Sequence, residues 1–209
     1  MIQPNISLSM FRKILILALL CTGAIYMPSH SISPMAGYSA SNLSNNNGYS
    51  INQKLLQSNG STYIVWTDTS NSTNENGNIL FRGSNNGGYR FNDIFILSNK
   101  TGDSNLPAIS SYGSNVYVAW EEESLQNSHI FFRSSPNNGA TFGKILDISN
   151  GTIWSTLAKV ASNKNYVYVV WVGSNVGDPK NFEVFLRRSN DSGQSFGTVI
   201  DLSRSGGDS

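Results

Sequence analysis

Past Asn52, apolar residues come in short runs separated by Ser-, Asn- and Gly-rich stretches, and the runs repeat in a fixed order. Ser61-Thr-Tyr-Ile-Val-Trp66, Asn115-Val-Tyr-Val-Ala-Trp120 and Asn165-Tyr-Val-Tyr-Val-Val-Trp171 each end on tryptophan. A second run follows each: Asn78-Ile-Leu-Phe-Arg82, His129-Ile-Phe-Phe-Arg133 and Glu183-Val-Phe-Leu-Arg187. A third run closes each unit, as Asp93-Ile-Phe-Ile-Leu97, Lys144-Ile-Leu-Asp-Ile148 and Thr198-Val-Ile-Asp-Leu202. Short opening strands precede the tryptophan runs at Leu106-Pro-Ala-Ile109 and Leu157-Ala-Lys-Val160. β-Branched and aromatic residues dominate, and no window carries the i, i+3, i+4 spacing of a helix, so the pattern predicts an all-β protein of four strands per unit.

Runs such as Val167-Tyr-Val-Val-Trp171 are apolar at successive positions, which places apolar side chains on both faces of a sheet. Such sheets must be stacked. A repeat of roughly 50 residues forming a small antiparallel sheet against its neighbours is the arrangement of propeller blades. The expected blades cover about 52–98, 105–149 and 156–203.

Between the second and third of these runs each unit carries one polar pattern: Ser84-x-Asn86-x-Gly88-x-x-Phe91, Ser135-x-Asn137-x-Gly139-x-x-Phe142 and Ser189-x-Asp191-x-Gly193-x-x-Phe196. An Asn or Asp side chain bonds nearby backbone N–H groups and glycine takes positive φ, so each pattern predicts a tight hairpin whose phenylalanine packs the returning strand. The pattern resembles the Asp box, S-x-D-x-G-x-x-W/F, of the bacterial neuraminidase repeat in sialidases and other secreted propellers. Asn replaces Asp in the first two copies and Phe replaces Trp in all three. The resemblance implies a sialidase-like β-propeller, here partial with three complete four-stranded blades, and implies that the boxes lie on the face away from a substrate and are structural.

Composition then narrows the function. The chain is 39% hydrophobic and 13% charged with a net charge of +1, which gives no general attraction to nucleic acid. Arg12 and Lys13 followed by the apolar stretch Ile14 to Met27 have the order of an export signal, so residues 1–35 are expected to be a signal peptide or N-terminal anchor. Met10 offers an alternative start. Residues 36–51 read as an Asn/Ser-rich linker, and 52–209 as the propeller segment. Secretion or cell-surface display follows, with membrane association only through the N-terminal segment. Cys21 is the only cysteine and lies in the apolar stretch, so no disulfide or thiolate metal site is expected. Seven N-x-S/T triplets, from Asn5 to Asn190, agree with export but are common in Asn/Ser-rich sequence.

In an antiparallel four-stranded unit the boxes leave from one end, and the resemblance to sialidases implies a ligand at the other. That end comprises 67–77, 121–128, 172–181, 98–105 and 150–156. Asp68, Glu122, Asp103 and Trp154 are the candidate binding residues there. Asp68 and Glu122 also fit solvated strand ends, because the third unit has Gly173 at that position, and Glu121-Glu-Glu123 fits a solvated loop better than a cation site. No cofactor and no metal site is expected. Sialidases surround the substrate carboxylate with three arginines, the signature one in a Phe/Tyr-Arg-Ile-Pro motif that this chain lacks. Arg82, Arg133 and Arg187 recur at one register and are read as a surface feature of each blade rather than a converging triad. No catalytic residue is assigned. The leading reading is a non-catalytic exported segment presenting loops to a glycan or surface protein. The alternatives are part of a sialidase-like glycosidase and a structural adhesion module. Three blades fall short of the about four to eight of a closed ring, which points to missing sequence or to self-association.

Overall fold

The computed structural model describes residues 41–70, 76–98, 102–150, 152–175 and 178–203. The expected export segment, with Cys21, lies outside them. The first sheet consists of β1 (Ser50–Ser58), β2 (Ser61–Asp68), β3 (Asn78–Ser84) and β4 (Phe95–Ile96). The second has β5 (Asp103–Tyr112), β6 (Asn115–Glu123), β7 (Ser128–Ser135) and β8 (Leu146–Asp147). The third has β9 (Thr152–Asn163), β10 (Tyr166–Asn175), β11 (Asp178–Ser189) and β12 (Ile200–Asp201). Each is a four-stranded antiparallel meander in chain order.

The sheets stack through the apolar runs, and strand alternation divides each run between two cores. On β6, Val116, Val118 and Trp120 join Tyr63, Val65, Ile79 and Phe81 of the first sheet in one cluster. The intervening Tyr117 and Ala119 join Val167, Val169 and Trp171 of the third sheet in another. Successive side chains point to opposite faces, so one strand serves both interfaces. The first strands adjoin one another, β1 against β5 and β5 against β9. The fourth strands have only two residues each, which shortens the outer edge.

The box turns explain much of the stacking. Within each, the serine hydroxyl donates to the Asn or Asp side chain and accepts from the glycine N–H, at 3.0 Å from Gly88, 2.9 Å from Gly139 and 2.9 Å from Gly193. Gly88, Gly139 and Gly193 have φ of 92°, 80° and 78°. These glycines are also flat surfaces for a neighbour. A Cβ on Gly139 would stand 2.4 Å from Phe81 of the preceding sheet, and one on Gly193 would stand 2.9 Å from Phe132. The box phenylalanines complete the contact: Phe142 meets Phe81 edge-on at 5.0 Å, and Phe196 meets Phe132 in the same way at 5.0 Å. The aromatic of the motif thus packs across the sheet interface as well as along its own hairpin.

The repeated arginines bind backbone. Arg82, Arg133 and Arg187 donate from Nε to Asn92, Gly143 and Gly197 carbonyls, each at 2.7 Å. A terminal nitrogen reaches back to Leu43 O at 2.9 Å, Leu97 O at 3.1 Å and Ile148 O at 3.0 Å. The second and third of these tie adjacent sheets together.

Two features depart from the sequence reading. The opening strands are longer than Leu106–Ile109 and Leu157–Val160, since β5 begins at Asp103 and β9 at Thr152. Asp103 and Trp154 therefore lie on strands, and Glu121 to Glu123 is the end of β6. The opening strand of the first sheet starts at Ser50, within the segment read as linker. The reason is a bulge at one register of all three first strands. The ladder shifts between Ile51 and Lys54, between Asn105 and Ala108, and opposite Val170 to Val172. Asn52, Leu106 and Leu157 take φ of 55°, 49° and 56° there. A bulge breaks the period-two pattern, so only the part beyond it reads as a strand.

Candidate functional site

The bulges sit at the end of the sheets opposite the box turns, where side chains of neighbouring sheets interlock. Asn105, just before the bulged Leu106, accepts at Oδ1 from Asn52 Nδ2 at 2.7 Å and Thr67 Oγ1 at 3.0 Å, both from the first sheet. At the matching position of the third sheet, Thr156 Oγ1 donates to Glu121 Oε2 at 2.5 Å. The ladder is extended by Gly77, whose N–H donates to Asp103 Oδ1 at 2.7 Å and whose carbonyl accepts from Ser104 N at 3.0 Å. A Cβ on Gly77 would stand 2.5 Å from the Ser104 carbonyl, so only glycine permits this approach. These bonds give the end of the stack a fixed shape.

That shape includes a cleft of about 810 Å³ formed by all three sheets. Asp103 and Glu123, cross-strand partners on β5 and β6, form one wall with Asn127, and Asn76 and Trp154 approach from the first and third sheets. Trp154 has φ of 49°, a left-handed conformation costly for an aromatic residue, and is 38% exposed. Its indole lines the cleft. Beside the wall, burial raises the pKa of Glu121, and the like charges of Glu123 and Asp103 raise it further against the Thr156 hydrogen bond. Three carboxylates, those of Asp103, Glu121 and Glu123, are thus gathered at this end.

Of the four candidate residues, the structure brings Asp103 and Trp154 together in the cleft and places the other two elsewhere. Glu122 is buried and accepts from Ser104 Oγ at 3.2 Å. Asp68 is 1% exposed and receives Asn46 Nδ2 at 2.8 Å, Ser50 Oγ at 2.7 Å and Trp66 Nε1 at 3.1 Å on Oδ2, and Ser70 N at 3.0 Å and Ser70 Oγ on Oδ1. Burial tends to raise its pKa, but the bonds from Ser70, Ser50 and Asn46 prevail and hold it at about 2. Its carboxylate ties the loop before β1 to the end of β2. Glu123, Asn76 and Asn127 were not singled out as binding residues from sequence. Glu123 stood only within the acidic run, and the amides are indistinguishable from other loop asparagines until the sheets bring them together. Among the described residues no group of three or more acidic, histidine or cysteine side chains is arranged to hold a metal.

A second cleft of about 840 Å³ involves Tyr49, Leu80, Ile94 and Ile96. Ile79 and Phe81 face the second sheet, so Leu80 faces away from it. Asn45, Asn46, Asn47 and Thr69 supply the polar side of the same cleft.

No family model matches the chain, and no curated protein matches its sequence. Solved structures do. The α-L-arabinanase of Penicillium chrysogenum complexed with arabinobiose superposes with a TM-score of 0.52 at 14% identity, over 73% of this chain and 49% of that one. The fold is part of a β-propeller. A Trypanosoma rangeli sialidase mutant displaying trans-sialidase activity matches with a TM-score of 0.51 at 12% identity, over 71% of this chain and 30% of the other. The same sialidase in complex with sialic acid matches with a TM-score of 0.50 at 11% identity. The chain thus spans about half the length of the arabinanase and under a third of the sialidase. At these identities the likeness concerns the fold, and the three sheets are three blades.

Proposed function

We propose that this chain is an exported propeller segment of the Asp-box type that binds oligosaccharide in the Trp154 cleft without cleaving it. The observation that carries the reading is the exposed Trp154 in a left-handed backbone conformation, in one cleft with Asp103, Glu123 and amide side chains. An aromatic face stacks on the C–H face of a sugar, and carboxylates and amides accept or share its hydroxyl hydrogens. Two of the similar structures were solved with arabinobiose or sialic acid bound, which agrees with a saccharide ligand. The non-catalytic part rests on the arginines. All three at the repeated register donate to backbone carbonyls and are committed to the fold.

Binding on a glycan array, with no release of fluorophore from sialoside or arabinoside reporters, is the expected result for the full chain; turnover of either reporter overturns the non-catalytic reading. Trp154→Ala is expected to weaken binding at least about tenfold, or ~1.4 kcal/mol, with an unchanged melting temperature. Asp191→Asn is the control. Asn137 Nδ2 already donates to Thr141 Oγ1 at 2.9 Å in the second box, so an amide at 191 retains that turn and should leave binding intact. If Trp154→Ala binds as the parent does, the cleft is not the site. Export rests on the charged and apolar order of residues 12–27. N-terminal sequencing of secreted protein is expected to begin after Met27, and retention of the whole segment in a cytoplasmic product would refute it.

A further inference from the structure

We propose that the cleft selects uncharged oligosaccharides and rejects sialylated or otherwise anionic ones, an inference that rests on the saccharide-binding reading above. Its described lining contains the carboxylates Asp103 and Glu123, amides and one indole, and no lysine or arginine. Asp103 and Glu123 are directly paired across β5 and β6, and Glu121 lies two residues along the same strand face. Burial is the main cause that raises the pKa of Glu121, and the charges of Glu123 and Asp103 add to it. The N–H of Gly77 is already taken by Asp103 at 2.7 Å.

A sugar carboxylate entering this space would be desolvated beside like charge, with no cation among the described lining residues to receive it. Recognition of a carboxylate uses a planar guanidinium fork, and the repeated guanidinium groups of this chain are bonded to backbone carbonyls. A neutral sugar faces no such penalty. Its hydroxyls donate to Asp103 and Glu123, while the indole of Trp154 covers an apolar ring face. Specificity here is built from repulsion as much as attraction. The cleft therefore has the opposite charge logic to a sialic acid site, although the chain matches a sialidase in fold.

The test is an array of matched pairs, each neutral oligosaccharide beside the same oligosaccharide capped with sialic acid, probed with the full chain at low and at physiological salt. Neutral members are expected to bind at least about tenfold more tightly than their capped partners. The gap should narrow at the higher salt, because screening weakens exposed charge repulsion. Glu123→Gln, at an exposed position, is expected to narrow the gap between neutral and capped members at low salt by about threefold or more. Equal binding of both members, or tighter binding of the sialylated one, overturns the selectivity but leaves the cleft as a saccharide site. Binding of neither member sinks the saccharide reading and this one with it.

Discussion

Phe132→Ala is expected to destabilise the chain by about 3 to 5 kcal/mol, the range for removing a large aromatic from a packed core. Phe132 is fully buried on β7. Its ring stacks with Tyr117 at 6.2 Å, meets Phe196 edge-on at 5.0 Å and occupies the space above Gly193. Truncation would leave a cavity that the glycine cannot fill and remove the partner of the third box, so the loss falls on the interface between the second and third blades. Urea unfolding monitored by tryptophan fluorescence measures it. Gly193→Ala is expected to act on the same interface from the other side, since the new methyl meets the Phe132 ring and the backbone has φ of 78°. A loss under about 1 kcal/mol for Phe132→Ala would show that the box contact does not hold the blades together.

Asp68 gives the second large effect. Replacement by alanine leaves five donor contacts, from Asn46, Ser50, Trp66 and Ser70, without their acceptor, and is expected to cost on the order of 3 kcal/mol. Asparagine does not rescue it. With the amide oxygen toward Ser70, the NH2 group faces the Trp66 indole N–H and the Asn46 amide; turned over, it faces the Ser70 backbone N–H. The acid dependence follows from the same bonds. The folded-state pKa of about 2 lies below the ~3.9 of an unfolded aspartate, so the carboxylate stabilises the fold fully above about pH 4. That contribution, on the order of 2 kcal/mol, is lost as pH falls through about 2. Asp191 shifts in the same direction, through bonds from Ser195 that prevail over its slight burial. Thermal melts of the parent and Asp68→Asn between pH 5 and 2 provide the check. The parent should lose stability steeply over that interval and the variant less so; parallel curves would mean that Asp68 is not the carboxylate responsible.

The two residues differ in how visible they were. Phe132 sits in a repeated apolar run, at the register that Phe81 holds in the first unit and Leu186 in the third. Asp68 was read as a candidate for ligand binding because it follows a strand tryptophan, as Glu122 does. The structure gives it instead to Asn46 and Ser50, residues in or beside a stretch whose composition suggested a linker. A run of serines and asparagines shows little burial potential, and its ability to coordinate a buried carboxylate depends on where the chain brings it. The common register of Arg82, Arg133 and Arg187 argues for one repeated role and against a carboxylate-binding triad. That register could not reveal the carbonyls of the neighbouring blade as their partners.

The sequence by itself determined the second and third strands of each sheet, the three box hairpins and the need for sheets to stack, because these follow from local chemistry: β-branched runs, Asn or Asp with glycine at turn spacing, and apolar side chains on both faces of one strand. Tertiary structure decided what depends on juxtaposition across blades. It placed box glycines beneath the phenylalanines of the preceding blade and set bulges where alternation had to break. It also brought Asp103, Glu123 and Trp154, which are far apart along the chain, to one cleft. A single strand's pattern records which face is apolar, but not which neighbour will cover that face or which polar ends will meet.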